Sequence, residues 1–492
     1  MNNLTLFQFF HWYYSPEGNL WKHAKEEAGR LTSLGVTGVW LPPAYKSAQG
    51  TAEPGYAVYD LYDMGEFDQK GTVRTRYGTR EEYTDCITAF HEQQMNVLAD
   101  IVLNHKLGGD EKEQVPVRKV NPDNRTEITG ETQTVEAYTR FTFPGRNKKY
   151  SDFVWDWHSF TGLNENGDIA LIMNEYGNSR WEDVIEDEFG NYDYLMGNDI
   201  EFRNPYVREE LKKWGVWYIE ATGVDGFRLD AVKHINPAFF PEWLEHLKAH
   251  FQKDFFCMGE YWKSDVKTLL KYIDATGGMI RLLDVPLHFN FYDASMQGKD
   301  FDLRTIFDNT LTKEKPELAI SFVDNHDTQP LQSLQSTVDF WFKPLAYALV
   351  LLREQGIPCV FYPAVYEAKY AAMKDGKKIY VELNKVNAVE TLMKVRKDLA
   401  YGMQRDYFND PNIIGWTREG VDEKPGSGCA VLLSNAEAGS QIMLAGERHA
   451  HKTFTDCCGG RSEKVKLDAA GQGEFFVNGR SVSVWLPEAA SG

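Results

Sequence analysis

Eight short apolar or β-branched runs, most of them followed by an amphipathic stretch, set the strongest limit on how this chain can fold. The runs are Leu4–Phe10, Val36–Leu41, Val97–Leu103, Gly226–Asp230, Phe255–Glu260, Leu282–Phe289, Leu318–Asp324 and Pro358–Tyr362. Between them lie helical segments such as Leu20–Ser33, Glu81–Gln94, Tyr206–Ala221, Pro237–Phe251 and Phe342–Glu354. Regular alternation of strand and helix marks an α/β architecture, and eight repeats fit a closed parallel (β/α)8 TIM barrel better than an open sheet.

Two intervals break the alternation. From His105 to about Pro205 there is polar, turn-forming sequence without a clear helix, including Asn121-Pro122-Asp123-Asn124. A structureless loop of that length is unusual, so a β-rich inserted domain after strand three is expected. Past Leu399 come short strands separated by Gly, Asn and Asp: Ile413–Thr417, Ala430–Leu433, Gln441–Leu444, Glu474–Val477 and Ser481–Leu486. That spacing suits an antiparallel β-sandwich. The expected division is a first barrel part over 1–104, inserted domain B over 105–205, a second barrel part over 206–399 and a C-terminal β domain over 400–492.

Composition narrows the partners. The 492 residues are 42% hydrophobic and 25% charged, the balance of a soluble globular protein. Lys and Arg number 53 against 72 Asp and Glu, a net charge of −19 that repels phosphate backbones and anionic lipids. No nucleic-acid or membrane partner is expected, and a monomer is. Apolar stretches such as Leu345–Leu352 fall short of the ~20 residues that span a bilayer. The first residues lead into a strand without a basic segment and apolar leader. The six cysteines are scattered, and Cys457-Cys458 lacks the spacing of a zinc or redox site. A cytoplasmic protein with reduced thiols is the expectation.

Barrel active sites lie at the C-terminal ends of the strands. There the chain reads Asp100-Ile101-Val102-Leu103-Asn104-His105, Gly226-Phe227-Arg228-Leu229-Asp230, Met258-Gly259-Glu260-Tyr261-Trp262 and Phe322-Val323-Asp324-Asn325-His326-Asp327. One strand-end Asp is readily explained as a helix cap. Several acids at one rim, with imidazoles and an Arg, point instead to glycosidic bond cleavage, in which one carboxylate attacks and a second, kept protonated, serves as acid. Arg228 and Asp230 alternate onto one side of their strand, so the guanidinium favours an ionised Asp230. Apolar and aromatic neighbours desolvate Glu260 and suit it to the acid role. Asp327 is a third carboxylate able to hold sugar hydroxyls.

Together these four segments resemble the sequence regions of glycoside hydrolase family 13, the α-amylase family, and are similar to its bacterial liquefying type. The resemblance extends to Gln8-Phe9-Phe10-His11-Trp12-Tyr13, to 55–63, to 71–79, to Asp193-Tyr194-Leu195-Met196 and to Thr337–Pro344. It implies Asp230 as nucleophile, Glu260 as acid/base and Asp327 as transition-state stabiliser. Tyr56, His105, Arg228 and His326 would line the subsite of the attacked sugar, with Lys233, His234 and Trp262 on the leaving-group side. It also implies one Ca2+ held by Asn104, Asp193, Asp199 and the main-chain oxygen of His234, a mixture of oxygens that suits a hard cation. The activity implied is retaining endo-hydrolysis of α-1,4-glucosidic bonds in starch, glycogen or maltodextrins. A transglycosylase of the same mechanism and a non-catalytic glucan-binding protein are the alternatives.

Two regions depart from the family pattern. After strand eight, where liquefying members carry Tyr-Gly-Asp-x-Tyr-Gly, this chain has Tyr362-Pro363-Ala364-Val365-Tyr366-Glu367, and 368–385 diverges as well. Thr161, Glu182 and Glu201 stand where those members keep acids for a second cation cluster, so that cluster is expected to be altered.

Overall fold

In the computed structural model, which describes residues 3–488 other than Asn178, the runs form eight parallel strands closed into a barrel. They are β1 (Leu6–Gln8), β2 (Gly38–Leu41), β3 (Asn96–Ile101), β4 (Gly226–Leu229), β5 (Phe256–Gly259), β6 (Arg281–Leu283), β7 (Ala319–Phe322) and β8 (Ile357–Phe361). Each lies beside its sequence neighbours, and β1 pairs with β8 to close the ring. Strands such as β2, β4 and β7 are buried at every position, because barrel filling covers one face and helices the other. That double burial is why they read as unbroken apolar runs.

One run does not stay extended. Leu282–Phe289 reads as a strand, but β6 ends at Leu283 and a helix spans Val285–Gln297. The Asp284 side chain accepts the Leu287 N–H, and Pro286 occupies the first turn. An N-cap and a fixed φ therefore start a helix inside an apolar run. The other helices follow their amphipathic segments closely, at Leu20–Ser33, Arg80–Glu92, Pro205–Thr222, Phe239–Phe251 and Lys343–Leu352. Thr79 and Glu82 form a reciprocal capping box at the second of these.

Register places the chemistry. Arg228 pairs with Asp100 on β3 and Met258 on β5, and Leu229 pairs with Ile101 and Gly259. Asp230 and Glu260 each follow this last pair by one residue, so they stand level at the barrel rim. Backbone hydrogen bonds from Asp230 N to Ile101 O, 2.8 Å, and from Glu260 N to Leu229 O, 2.9 Å, hold them there. Close approach of β4 and β5 depends on Gly226: a Cβ at this position would lie 2.1 Å from the Phe256 carbonyl oxygen.

The interval after β3 forms a six-stranded sheet in the order His105–Lys106, Asn198–Ile200, Phe160–Glu165, Asp168–Ile172, Glu111–Lys119, Gln133–Arg140. It is β-rich, as expected, and its helical turns are short 3-10 pieces such as Trp157–Ser159. Near the C-terminus a six-stranded and a two-stranded antiparallel sheet share a core of Leu432, Met443, Phe454, Phe475 and Trp485. Residues of opposite parity, Val431, Leu433 and Val484, belong to the large core that includes the barrel. Strand alternation thus lets one sheet seal two interiors. The divergent stretch after β8 is a hairpin, Ala368–Lys374 with Lys377–Leu383, which pairs with no other strand among the described residues. All six cysteines are free thiols. No helix among the described residues is long and apolar enough to cross a membrane.

Candidate active site

A cavity of about 410 Å³ opens at the C-terminal end of the barrel and is lined by Asp230, Glu260 and Asp327. Tyr56, His105, Lys233, His234, Trp262 and His326 share the lining. Every predicted catalytic residue, and every predicted sugar-contacting residue except Arg228, is therefore brought to one cavity. Arg228 is wholly buried beneath it.

Arg228 organises the acids from below. Its Nη1 donates to Asp100 Oδ1 at 2.7 Å and to Asp230 Oδ1 at 2.6 Å, and its Nη2 donates to Glu260 Oε2. Asp100 also accepts from Tyr56 Oη at 2.7 Å and Trp40 Nε1 at 3.0 Å. Burial by itself would lower the Arg228 pKa, but Asp100, Glu260 and Asp230 raise it well above the usual arginine value, so the cation is permanent.

Burial dominates the acids too. It raises Asp230 to about 6 although Arg228 opposes the shift, leaving that carboxyl mostly ionised at neutral pH. Burial, again opposed by Arg228 but reinforced by the nearby Asp230, raises Glu260 further, to about 7. Asp327 is pushed well above the usual carboxylate range by burial and by Glu260. The imidazoles move the other way. Burial lowers His105 to about 4, and burial with the Arg228 charge lowers His326 well below its ordinary value, so both are neutral.

One wall is an aromatic stack. Tyr56, Trp12 and His326 meet in a triangle of near-parallel rings: Tyr56 is 5.4 Å from Trp12 with planes 10° apart and 5.2 Å from His326 at 14°, and Trp12 is 6.0 Å from His326 at 11°. Gln8 Nε2 meets His326 Nδ1 at 3.0 Å, and His105 Nε2 donates to the Tyr56 carbonyl at 2.9 Å. On the opposite side Lys233 Nζ sits 4.7 Å from the Tyr192 ring centroid and 3.3 Å from the Trp262 carbonyl oxygen. Asp100, Trp12 and Tyr192 are missing from the predicted set. Asp100 lies inside an apolar strand and resembles core, while Trp12 and Tyr192 come from distant segments that only the fold unites.

The predicted metal ligands lie beside this cavity. Asn104 Nδ2 donates to Asp199 Oδ1 at 3.3 Å, Asp193 Oδ2 accepts the Glu182 N–H at 2.9 Å, and His234 Nδ1 meets Tyr192 O at 2.6 Å. Asn104 Oδ1, Glu182 Oε2 and Asp199 Oδ2 are buried without a hydrogen-bond partner. Burial and mutual repulsion push Asp199 and Glu182 well above the carboxylate range, outweighing the opposing charges of Arg125 on Asp199 and Arg203 on Glu182. These orphaned oxygens fit a hard cation. Among the described residues no group of three or more His, Cys, Asp and Glu forms a metal cluster, so amide and main-chain oxygens would have to complete any such site. Glu201 is engaged differently: Arg203 Nε and Nη2 donate to it at 2.6 and 2.7 Å, so a guanidinium supplies its countercharge.

Comparison with known proteins agrees with this geometry. The family described as alpha amylase, catalytic domain, matches residues 28–411. An α-amylase of Geobacillus stearothermophilus is 48% identical over 99% of this chain and 87% of its own length. A cytoplasmic α-amylase of Escherichia coli K12 is 46% identical over 99% of both chains. The solved α-amylase of Geobacillus thermoleovorans superposes with a TM-score of 0.65, covering 100% of this chain and 99% of its own at 19% identity, a likeness of fold alone. With most of its length matched and nearly half its residues identical to those relatives, the chain belongs to the α-amylase family and is a glycoside hydrolase of α-1,4-glucans.

Proposed function

We propose that hydrolysis proceeds with retention and attacks internal bonds of starch, glycogen or maltodextrins. The observation that carries this reading is the Asp230–Glu260 pair: level at the rim, bridged by one guanidinium, and unequal in acidity. Asp230, the more acidic, attacks the anomeric carbon while Glu260 gives its proton to the departing glycosidic oxygen. The ionised Glu260 then takes a proton from a water whose oxygen bonds to the anomeric carbon, the bond to Asp230 breaks, and the sugar leaves with both carboxyls restored. Asp327 binds hydroxyls of the distorted sugar.

Tyr56, His105 and His326 bind the attacked sugar, the stacked Tyr56 face supplying its platform. Trp262, Lys233 and the imidazole of His234 meet the leaving-group side. Arg228 acts through the carboxylates it positions, since it is buried below the cavity. Asn104, Asp193, Asp199 and the His234 carbonyl would hold one calcium ion, the orphaned oxygens of Asn104 and Asp199 supporting this. When bound, the ion neutralises the clustered oxygens and ties the insertion to the barrel. Glu201, already paired with Arg203, does not hold a second one.

The divisions at 104/105, 205/206 and 399/400 mark the units of the proposed architecture. A monomer acting in the cytoplasm is the accompanying reading, supported by similarity to a relative named as cytoplasmic. The test is release of reducing ends from starch and from maltooligosaccharides. Asp230→Asn should lower turnover at least about a thousandfold while leaving oligosaccharide binding intact. Undiminished turnover in that variant would remove Asp230 from the mechanism.

A further inference from the structure

The segment following Asp327 forms part of the catalytic cavity wall, contributing Ser333 and Leu334. It is held from outside the cavity. Tyr13 Oη donates to the Leu331 carbonyl at 3.0 Å, and Tyr370 Oη donates to the Pro330 carbonyl at 2.8 Å. The two tyrosine rings stack on each other, centroids 4.3 Å apart and planes 17° from parallel. Just before the clasped carbonyls, Gln329 Oε1 accepts the Trp12 N–H at 3.0 Å.

Leu331 adopts φ +74°, a left-handed conformation costly for a residue with a side chain. Hydrogen bonds to the carbonyls on either side of that turn oppose its relaxation. The four distances also connect inside and outside. Trp12 stacks on Tyr56 within the cavity, and the next residue, Tyr13, stacks on Tyr370 of the hairpin. Among the described residues that hairpin has no third strand, and an isolated two-stranded hairpin is marginal in water. Tyr370, near its base, therefore anchors the hairpin and the wall at once.

We propose that Tyr13 and Tyr370 are positioning residues, a clasp that sets the Ser333–Leu334 wall and thereby the affinity and register with which an α-glucan chain lies in the cavity. The proposal rests on the α-glucan reading of the site. It assigns a function to the divergent stretch after β8: the hairpin acts on specificity through the wall without touching the reacting sugar.

Removing only the hydroxyls tests it. Tyr13→Phe and Tyr370→Phe should each raise KM for maltoheptaose about fivefold, with kcat within about twofold of the parent. The double variant should also redistribute product lengths from starch, and Tyr370→Ala should match it. A clasp that served folding alone would lower the melting temperature and leave KM and products unchanged, and that result overturns the proposal. Maltoheptaose binding by calorimetry in a Glu260→Gln background separates the two readings. Unaltered affinity on adding both Phe substitutions overturns the clasp. Weakened affinity with no turnover by the unmodified protein overturns the hydrolytic reading and supports the clasp.

Discussion

Asp100 and Arg228 form an ion pair of 2.7 Å in which neither side chain is exposed to solvent. Tyr56 and Trp40 also donate to Asp100, so the guanidinium is anchored from beneath and presents its other N–H groups to Asp230 and Glu260. The floor of the site is thus a shared charge network, and its members titrate together.

Asp100→Asn tests that coupling. The Asp100 charge raises the Asp230 pKa, so its removal lets Arg228 favour the Asp230 carboxylate more strongly. The acid limb of the pH–activity profile should move to lower pH. Breaking a buried pair should also cost about 3–5 kcal/mol of stability, measurable by denaturant unfolding. An acid limb that stays in place would show Asp230 to be independent of Asp100.

Activity requires Asp230 ionised, above about 6, and Glu260 protonated, below about 7. The profile of kcat/KM should therefore be bell-shaped with its maximum between those values, the limbs belonging to the coupled pair. Glu260→Gln should reduce turnover about 10²–10⁴-fold and lose less with substrates whose leaving group needs no proton. Equal loss on both substrate types would assign the acid elsewhere.

Chelation addresses the orphaned oxygens. If a cation joins Asn104, Asp193 and Asp199, saturation to about 100 times its Kd stabilises the folded form by about 2.7 kcal/mol. Chelator should lower the melting temperature, and proteolysis should cut the insertion before the barrel. Asp199→Asn should abolish the chelator-sensitive part. Metal analysis finding no calcium, together with melting indifferent to chelator, would exclude the site.

Much of this arrangement is legible before folding because barrel strands are brief, doubly buried and end in polar residues. Asp230, Glu260 and Asp327 stand out as acids at the ends of such runs. Asp100 does not, because a charged residue within an apolar run gives no sign of the partner that neutralises it; Arg228 lies 128 residues away. The helix after β6 has two start signals in the sequence, Asp284 and Pro286, but the apolar content of 282–289 reads equally as a strand. The Tyr13–Tyr370 stack joins the segment after β1 to the hairpin after β8, which are neighbours because the barrel closes.

Following the anomeric configuration of newly released reducing sugar by proton nuclear magnetic resonance tests the central claim most directly. A retaining pair of carboxyls about 5–5.5 Å apart forms a glycosyl-enzyme on Asp230 and returns the α anomer. The α signal should appear first on cleavage of starch or maltoheptaose, with β growing later by mutarotation. Appearance of the β anomer first would mean direct attack by water and would contradict the roles assigned to Asp230 and Glu260.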